Sequence, residues 1–263
     1  MSFSIVVYSH DTSFKTDLRK FFKNRKEKIS YENNGIRVIL RLIKEEANAL
    51  FLDMNNNTKE YFKIIDILRR LYFRLPVVTF NASDSIEKLI QLKKYGVFYS
   101  TMKPVPFCIL KEITKSIKLI KVEKIFIRGG YMKTLNIALV LSSNKTLREN
   151  FSHLFNEMGV SYVFESKELN GLLRIMSIPL KAVFIEINPY DKNGLDFIKL
   201  IKNLNPQLKI IAVSSYSSDN DLIIEAGADH CIDSSVIESS TDSIIEKFHV
   251  LMQEKHLEKK EIK

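Results

Sequence analysis

The sequence predicts an α/β protein of two doubly wound domains. Each is a five-stranded parallel sheet in the flavodoxin-like order with helices on both faces. Three observations carry this. Apolar runs too short for helices, such as Ala49–Asp53 and Ala182–Ile187, alternate with stretches whose apolar residues fall on one helical face. The connections are tight, which favours parallel strands joined by right-handed crossovers. The strand ends also repeat: Ser9 and Ser142, Asp53 and Glu186, and Asn81 and Ser214 are each 133 residues apart. Gly96 and Gly227, and Lys103 and Ser234, are 131 apart.

In order, Ser4–Tyr8 reads as a strand, and Thr12–Lys26 as a helix with Phe14, Leu18, Phe21 and Phe22 inward. A strand at Ile29–Glu32 precedes a helix at Gly35–Glu45, whose face is Ile36, Ile39, Leu40 and Ile43. The third strand, Ala49–Asp53, ends in an acid and leads into the polar loop Asn55-Asn56-Asn57. Lys59–Phe73 is a helix, Val77–Phe80 a strand, Ser85–Tyr95 a helix closed by Gly96, and Val97–Thr101 the last strand. Pro106 opens the final helix of this half, with Leu110, Ile113, Ile117 and Ile120 on one face. In the second half, Asn193–Leu204 is a helix, Ile210–Val213 a strand, Asp219–Ala226 a helix and His230–Ile232 a strand. The domains are therefore 1–128 and 134–263, with a linker at 129–133 around Gly129-Gly130 and a charged tail ending the helix Ser243–Lys263.

At 263 residues and 45% hydrophobic content, the chain is long enough for two cores. No apolar run approaches the ~20 residues that cross a bilayer. Met1 runs into SIVVYS without the pattern of a signal peptide. Cys108 and Cys231 read as reduced core thiols, and the expected location is cytoplasmic. The net charge of +9 is uneven. Residues 1–128 carry 25 Lys+Arg against 13 Asp+Glu, and residues 129–263 carry 15 against 18. The basic first half is most simply a solvated surface; an acidic partner is the sharper alternative.

The second half resembles the receiver domain of bacterial response regulators. The strand ending at Glu186, the glycine eight positions on (Gly194), the strand ending at Ser214 and the run GADHCIDSS carry the resemblance. The first half matches in Asp53, in Lys103-Pro104 and in Gly96, seven residues before Lys103. The resemblance implies a domain that takes a phosphoryl group from a phosphohistidine onto an Asp. Mg²⁺ is held there by that Asp, an acidic pair after strand one and a backbone carbonyl, with a strand-four hydroxyl and a Lys after strand five in support.

On this basis Asp53 is the phosphoacceptor candidate, with Lys103, Asn81, Asp11, His10 and Asn55 as site-supporting residues. The acidic pair is replaced by Ser9-His10, with Asp11 one position late, and the hydroxyl by Asn81. Mg²⁺ binding is therefore expected to be weak, with only Asp53 and Asp11 as candidate ligands and no other cofactor. The simpler reading is an Asp53–Lys103 ion pair tying strand three to strand five. His10 reads more simply as a cap before Thr12 than as a metal ligand or phosphorylated histidine. The second site is degenerate: Glu186, Ser142, Ser143, Ser214 and Ser234 occupy its positions. Glu186 is either a built-in mimic of the charged state or, more simply, a carboxylate hydrogen-bonded to nearby serines.

Lys111, Lys115 and Lys118, with Lys88, Lys93 and Lys94, form a candidate partner surface, and a solvated charged face is the plainer reading. No phosphate-binding glycine loop, zinc spacing or further output domain is legible. The first expectation is a non-enzymatic signalling protein of two-component type, a tandem pseudo-receiver working through protein contacts. The alternatives are a response regulator phosphorylated on Asp53 by a histidine kinase or phosphotransfer protein, and a nucleic-acid binder through the basic first half. The expected partners are signalling proteins, among them a kinase or a motility or chemotaxis component. Nucleic acid is the least favoured partner, membrane insertion is not expected, and a homodimer stays open.

Overall fold

Apolar five-residue runs are too short to make a stable helix and have no solvent-facing side, so they bury as parallel strands. The computed structural model describes residues 3–238 apart from 46, 55–57, 74, 81–84, 121, 125–136 and 216–219. The chain divides into two compact units, Met1–Arg128 and Gly129–Lys263. The residues read as linker, Asn55, Asn81 and the helix Ser243–Lys263 lie outside the described residues.

The first unit runs β1 (Ser4–Tyr8), α1 (Thr12–Phe22), β2 (Lys28–Glu32), α2 (Gly35–Glu45), β3 (Ala49–Asp53), α3 (Thr58–Leu71), β4 (Tyr72–Phe73), β5 (Val77–Phe80), α4 (Ile86–Lys94), β6 (Tyr99–Thr101), α5 (Phe107–Ile117) and β7 (Glu123–Lys124). Its main sheet is parallel in the order β2-β1-β3-β5-β6. One face packs on Phe14, Leu18, Phe21 and Phe22 of α1 and Leu110, Ile113 and Ile117 of α5. The second unit runs β8 (Ile137–Leu141), α6 (Lys145–Glu157), β9 (Ser161–Glu165), α7 (Glu168–Ser177), β10 (Ala182–Glu186), α8 (Lys192–Leu204), β11 (Lys209–Ser214), α9 (Asn220–Glu225), β12 (His230–Asp233) and α10 (Ser234–Glu238). Its parallel sheet, β9-β8-β10-β11-β12, repeats the order of the first. Phe151 and Phe155 of α6 meet Phe184 of β10 at ring separations of 5.1 and 5.2 Å.

Several sequence expectations are corrected. α1 stops at Phe22, because Lys23-Asn24-Arg25-Lys26 offers nothing apolar to hold another turn, and Arg25 Nε turns back to the Phe21 carbonyl at 3.0 Å. α3 stops at Leu71, and Tyr72–Phe73 pairs antiparallel with Glu123–Lys124 instead. The face of α5 ends with the helix at Ile117, leaving Ile120 outside it. Cys108 is not a core thiol: it lies on the exposed side of α5, opposite the buried Leu110 and Ile113.

The duplication extends to contacts that the strand ends alone did not reveal. Arg41 of α2 pairs with Glu32 at the end of β2, and Arg174 of α7 pairs with Glu165 at the end of β9 at 2.9 Å. Arg69 of α3 donates to the carbonyls of Leu75, Tyr95 and Gly96. Lys202 of α8 donates to the Leu208 carbonyl and to Asp229. Arg69 and Lys202 are again 133 residues apart.

Both clamps close on a glycine turn. Gly96 has φ 70° and Gly227 φ 111°, backbone that side chains resist. A Cβ at Gly227 would also stand 2.9 Å from Lys202 Cγ, whose chain is held by Asp229. Gly227→Ala should therefore cost about 1–3 kcal/mol. Gly159→Ala, at φ 62° with open space around it, should cost about 1 kcal/mol. Urea unfolding of the two variants checks this order, and equal costs would refute the role of the clamp.

Candidate functional site at the strand carboxyl ends

Parallel strands deliver their last residues to one edge, and the crevice between β1 and β3 is where the strand order reverses. In the first unit, Ser9 follows β1, anchored by its amide to the Glu32 carbonyl at 3.1 Å. Its hydroxyl donates to Asp53 Oδ2 at 2.6 Å and accepts from the Asp11 amide at 2.9 Å. Asp53, at the end of β3, is only 4% exposed. Lys103 Nζ lies 3.0 Å from Asp53 Oδ1, an ion pair rather than an aligned hydrogen bond, and 2.5 Å from Asp11 Oδ2. The other Asp11 oxygen caps α1 through the amides of Ser13 (2.9 Å) and Phe14 (3.1 Å).

This is a closed charge network. A carboxylate as buried as Asp53 requires a counter-charge. Burial works to lower the Lys103 pKa, but the two carboxylates beside it, Asp11 and Asp53, outweigh that and hold it above the ordinary lysine value. The hydrogen bond from Lys103, followed by the Phe14 amide, lowers the Asp11 pKa. The cap of α1 is Asp11. The imidazole of His10 is exposed and stands edge-on to Tyr8 at 5.6 Å.

The second unit keeps the scaffold and changes the charges. The Ser142 amide donates to the Glu165 carbonyl at 3.0 Å. Its hydroxyl donates to Glu186 Oε2 at 2.6 Å and accepts from the Asn144 amide at 3.0 Å. Asn144 caps α6 as Asp11 caps α1. Strand register fixes the remaining equivalences. Phe80 pairs with Thr101, and Val213 with Ile232, so Lys103 and Ser234 each stand two residues past an equivalent strand position. Glu186 is exposed where Asp53 is buried, and among the described residues it has no ion pair. Ser214 is buried on β11 beside Asp233 of β12, and Ser143 is exposed.

Ser9, which stands in place of an acid, donates to Asp53, and Ser142, 133 residues on, stands in the same place beside another acid. Asp11 and Asn144 carry the same offset. The residues do not fit Mg²⁺. The ammonium of Lys103 lies between the two candidate ligands, Asp11 and Asp53. Among the described residues, no three His, Cys, Asp or Glu side chains are grouped to hold an ion.

On the lysine surface, Lys93, Lys94, Lys111, Lys115 and Lys118 are exposed and Lys88 is half-buried, and Lys118 pairs with Glu27 at 2.5 Å. Between them the α4–β6–α5 face exposes large apolar groups: Ile86 (74%), Ile90 (50%), Met102 (51%) and Phe107 (51%). α4 buries only Leu92.

No family model and no curated protein matches the chain. Among solved structures, it is similar to a CheY-like response regulator receiver domain protein from Methanospirillum hungatei JF-1, at TM-score 0.38 and 21% identity over 44% of this chain and 96% of that one. A response regulator from Thermotoga maritima gives TM-score 0.41 and 15% identity over 46% and 99%. A response regulator protein from Burkholderia multivorans gives 0.40 and 15% over 45% and 96%. At such values the fold rests on the strand order itself, two five-stranded parallel sheets of one topology.

Two predictions follow from the network. Lys103→Met leaves Asp53 as an unpaired buried charge and should cost about 3 kcal/mol at neutral pH by denaturant unfolding. Asp11→Asn keeps a cap but removes a charge, and should cost under about 1 kcal/mol because Asp11 is partly solvated. A lowered folded pKa means that the Asp11 contribution is full above the unfolded value of about 4 and is lost as pH falls through the folded one. The Asp11→Asn deficit should therefore be present at neutral pH and vanish in acid. A deficit that grows on acidification would contradict the network.

Proposed function

We propose that this chain is a non-enzymatic signalling protein of two-component type, in which two receiver-like units act through protein contacts. The carrying observation is the closed network at Asp53. Ser9 holds one carboxylate oxygen at 2.6 Å and Lys103 faces the other at 3.0 Å, with Asp11 drawing Lys103 away. A phosphoryl group arriving at Asp53 would have to displace these partners. It would also lack the acidic pair that anchors a divalent ion in receivers that take phosphate. The second unit goes further, with an exposed Glu186 and no lysine. The exposed apolar groups on α4 and α5, flanked by Lys93, Lys94, Lys111 and Lys115, supply a contact surface for a protein with an apolar patch and acidic rim.

A second reading, a regulator phosphorylated on Asp53, is favoured by the Asp53–Lys103 pair itself, since a lysine there would neutralise a phosphoryl oxygen. Two missing charge-stabilising groups, at about 3 kcal/mol each, would slow transfer by roughly 10⁴-fold. Acetyl phosphate or phosphoramidate with Mg²⁺ should thus give little phospho-Asp53 by intact mass, with Asp53→Asn as the control. Stoichiometric incorporation that disappears in Asp53→Asn would overturn the pseudo-receiver reading. Ile90→Asp combined with Met102→Asp should abolish partner capture while leaving the unfolding curve unchanged; capture that survives would move the contact surface elsewhere.

A further inference from the structure

The two strand-end sites differ in one element that can be supplied from outside. In the first unit, an ammonium sits between carboxylates: Lys103 Nζ reaches Asp53 at 3.0 Å and Asp11 at 2.5 Å. In the second unit, the acceptor-position carboxylate is kept as Glu186, with the same serine donating to it at 2.6 Å. The lysine position is Ser234, a side chain too short to reach across the crevice. Where the ammonium would stand there is a cavity of about 520 Å³, with Ser142, Asn144, Glu186 and Ser234 in its lining. Glu168 and Asp191 line it as well, and none of its lining side chains is basic. Its volume is in the range of small-molecule sites.

We infer that this cavity in the second unit binds a small organic ammonium, a diamine fitting it best, whose charged nitrogen takes the place that Lys103 Nζ takes in the first unit. The chemistry is matched at each point. An ammonium carries three donors and no acceptor. Glu186 offers it an exposed carboxylate without an ion pair among the described residues, and the Ser142 and Ser234 hydroxyls can accept from it. Glu168 and Asp191 add two further acids in the same cavity for the second ammonium of a diamine. A divalent metal fits less well, because no three ligating side chains are grouped. The first unit supplies an internal precedent: there an ammonium is held by Asp53 and Asp11, and the second unit keeps the acid as Glu186 while Asn144 stands in place of Asp11.

The test is titration of the full-length chain with 1,4-diaminobutane at fixed ionic strength, followed by the backbone amide signals of Ser142, Asn144 and Glu186. Saturable shifts at these amides are expected. Glu186→Gln should weaken binding by at least about tenfold, since it replaces a charge-assisted contact by a neutral one. Ser234→Lys should abolish it by filling the cavity with an internal ammonium. Three results would each overturn the proposal. One is the absence of saturable shifts up to tens of millimolar. Another is equal shifts with tetramethylammonium chloride, which has no N–H to donate. The third is undiminished binding in Glu186→Gln, which stays decisive even if Ser234→Lys does not fold. Shifts reproduced by Mg²⁺ in place of the diamine would identify a metal site and refute an ammonium site.

Discussion

A carboxylate at the end of a fully buried central strand must be neutralised, and that constraint organises the first unit. Asp53 closes β3 in the middle of the sheet, with 4% of its surface exposed. Groups from three places in the chain meet at it: Lys103 after β6 neutralises it, Ser9 after β1 donates a hydrogen bond to it, and Asp11 at the start of α1 shares the same lysine. Strand and helix ends far apart in sequence are thereby tied to one point. Since Asp11 also caps α1, the network couples the charge balance of the crevice to the stability of a helix. Removing the lysine costs far more than the pair contributes, because what remains is a buried charge.

The second unit meets the same constraint differently. A longer acid, Glu186, carries its carboxylate out of the sheet into solvent, where no lysine is required. Asn144 keeps the cap without the charge that Asp11 used to hold a lysine. These exchanges are mutually consistent: with an exposed Glu186, neither the lysine nor its second acid is needed. Reintroducing a lysine alone would restore a cation with one carboxylate fewer than in the first unit.

The fold was legible because it depends on patterns that a single sequence displays. Uninterrupted apolar strands, amphipathic helices and glycine turns each bury or bend for local reasons. The constant spacing of strand-end residues gave the repeat and its two-residue slip. The structure places that slip between β5 and β6 and between β11 and β12, where α4 spans nine residues and α9 six. The site was legible in its members and not in its wiring. That Asp11 would reach Lys103 depends on which way a capping side chain divides its two oxygens, and spacing says nothing about that. The exposure of Ile86, Ile90 and Met102 was missed for a related reason. Apolar periodicity marks a face suited to burial but does not say whether the chain itself supplies the cover.

What the two halves share and what they have let go argues about their history of constraint. The pairs Glu32–Arg41 and Glu165–Arg174 fix the same helix to the same strand end in each unit. The clamps of Arg69 and Lys202 fix the same loop to the same glycine turn. The second clamp has lysine where the first has arginine, and a carboxylate contact in place of some of its carbonyl contacts. At the crevice, the serine that positions the acid is kept twice, while the acid's length, its cation and the charge of the cap residue have all changed together. Interactions that hold the scaffold have been maintained as geometry, and those that set charge have diverged as a group. That is the pattern expected when the scaffold contacts are under one constraint in both units and a neutralised acid is kept in only one.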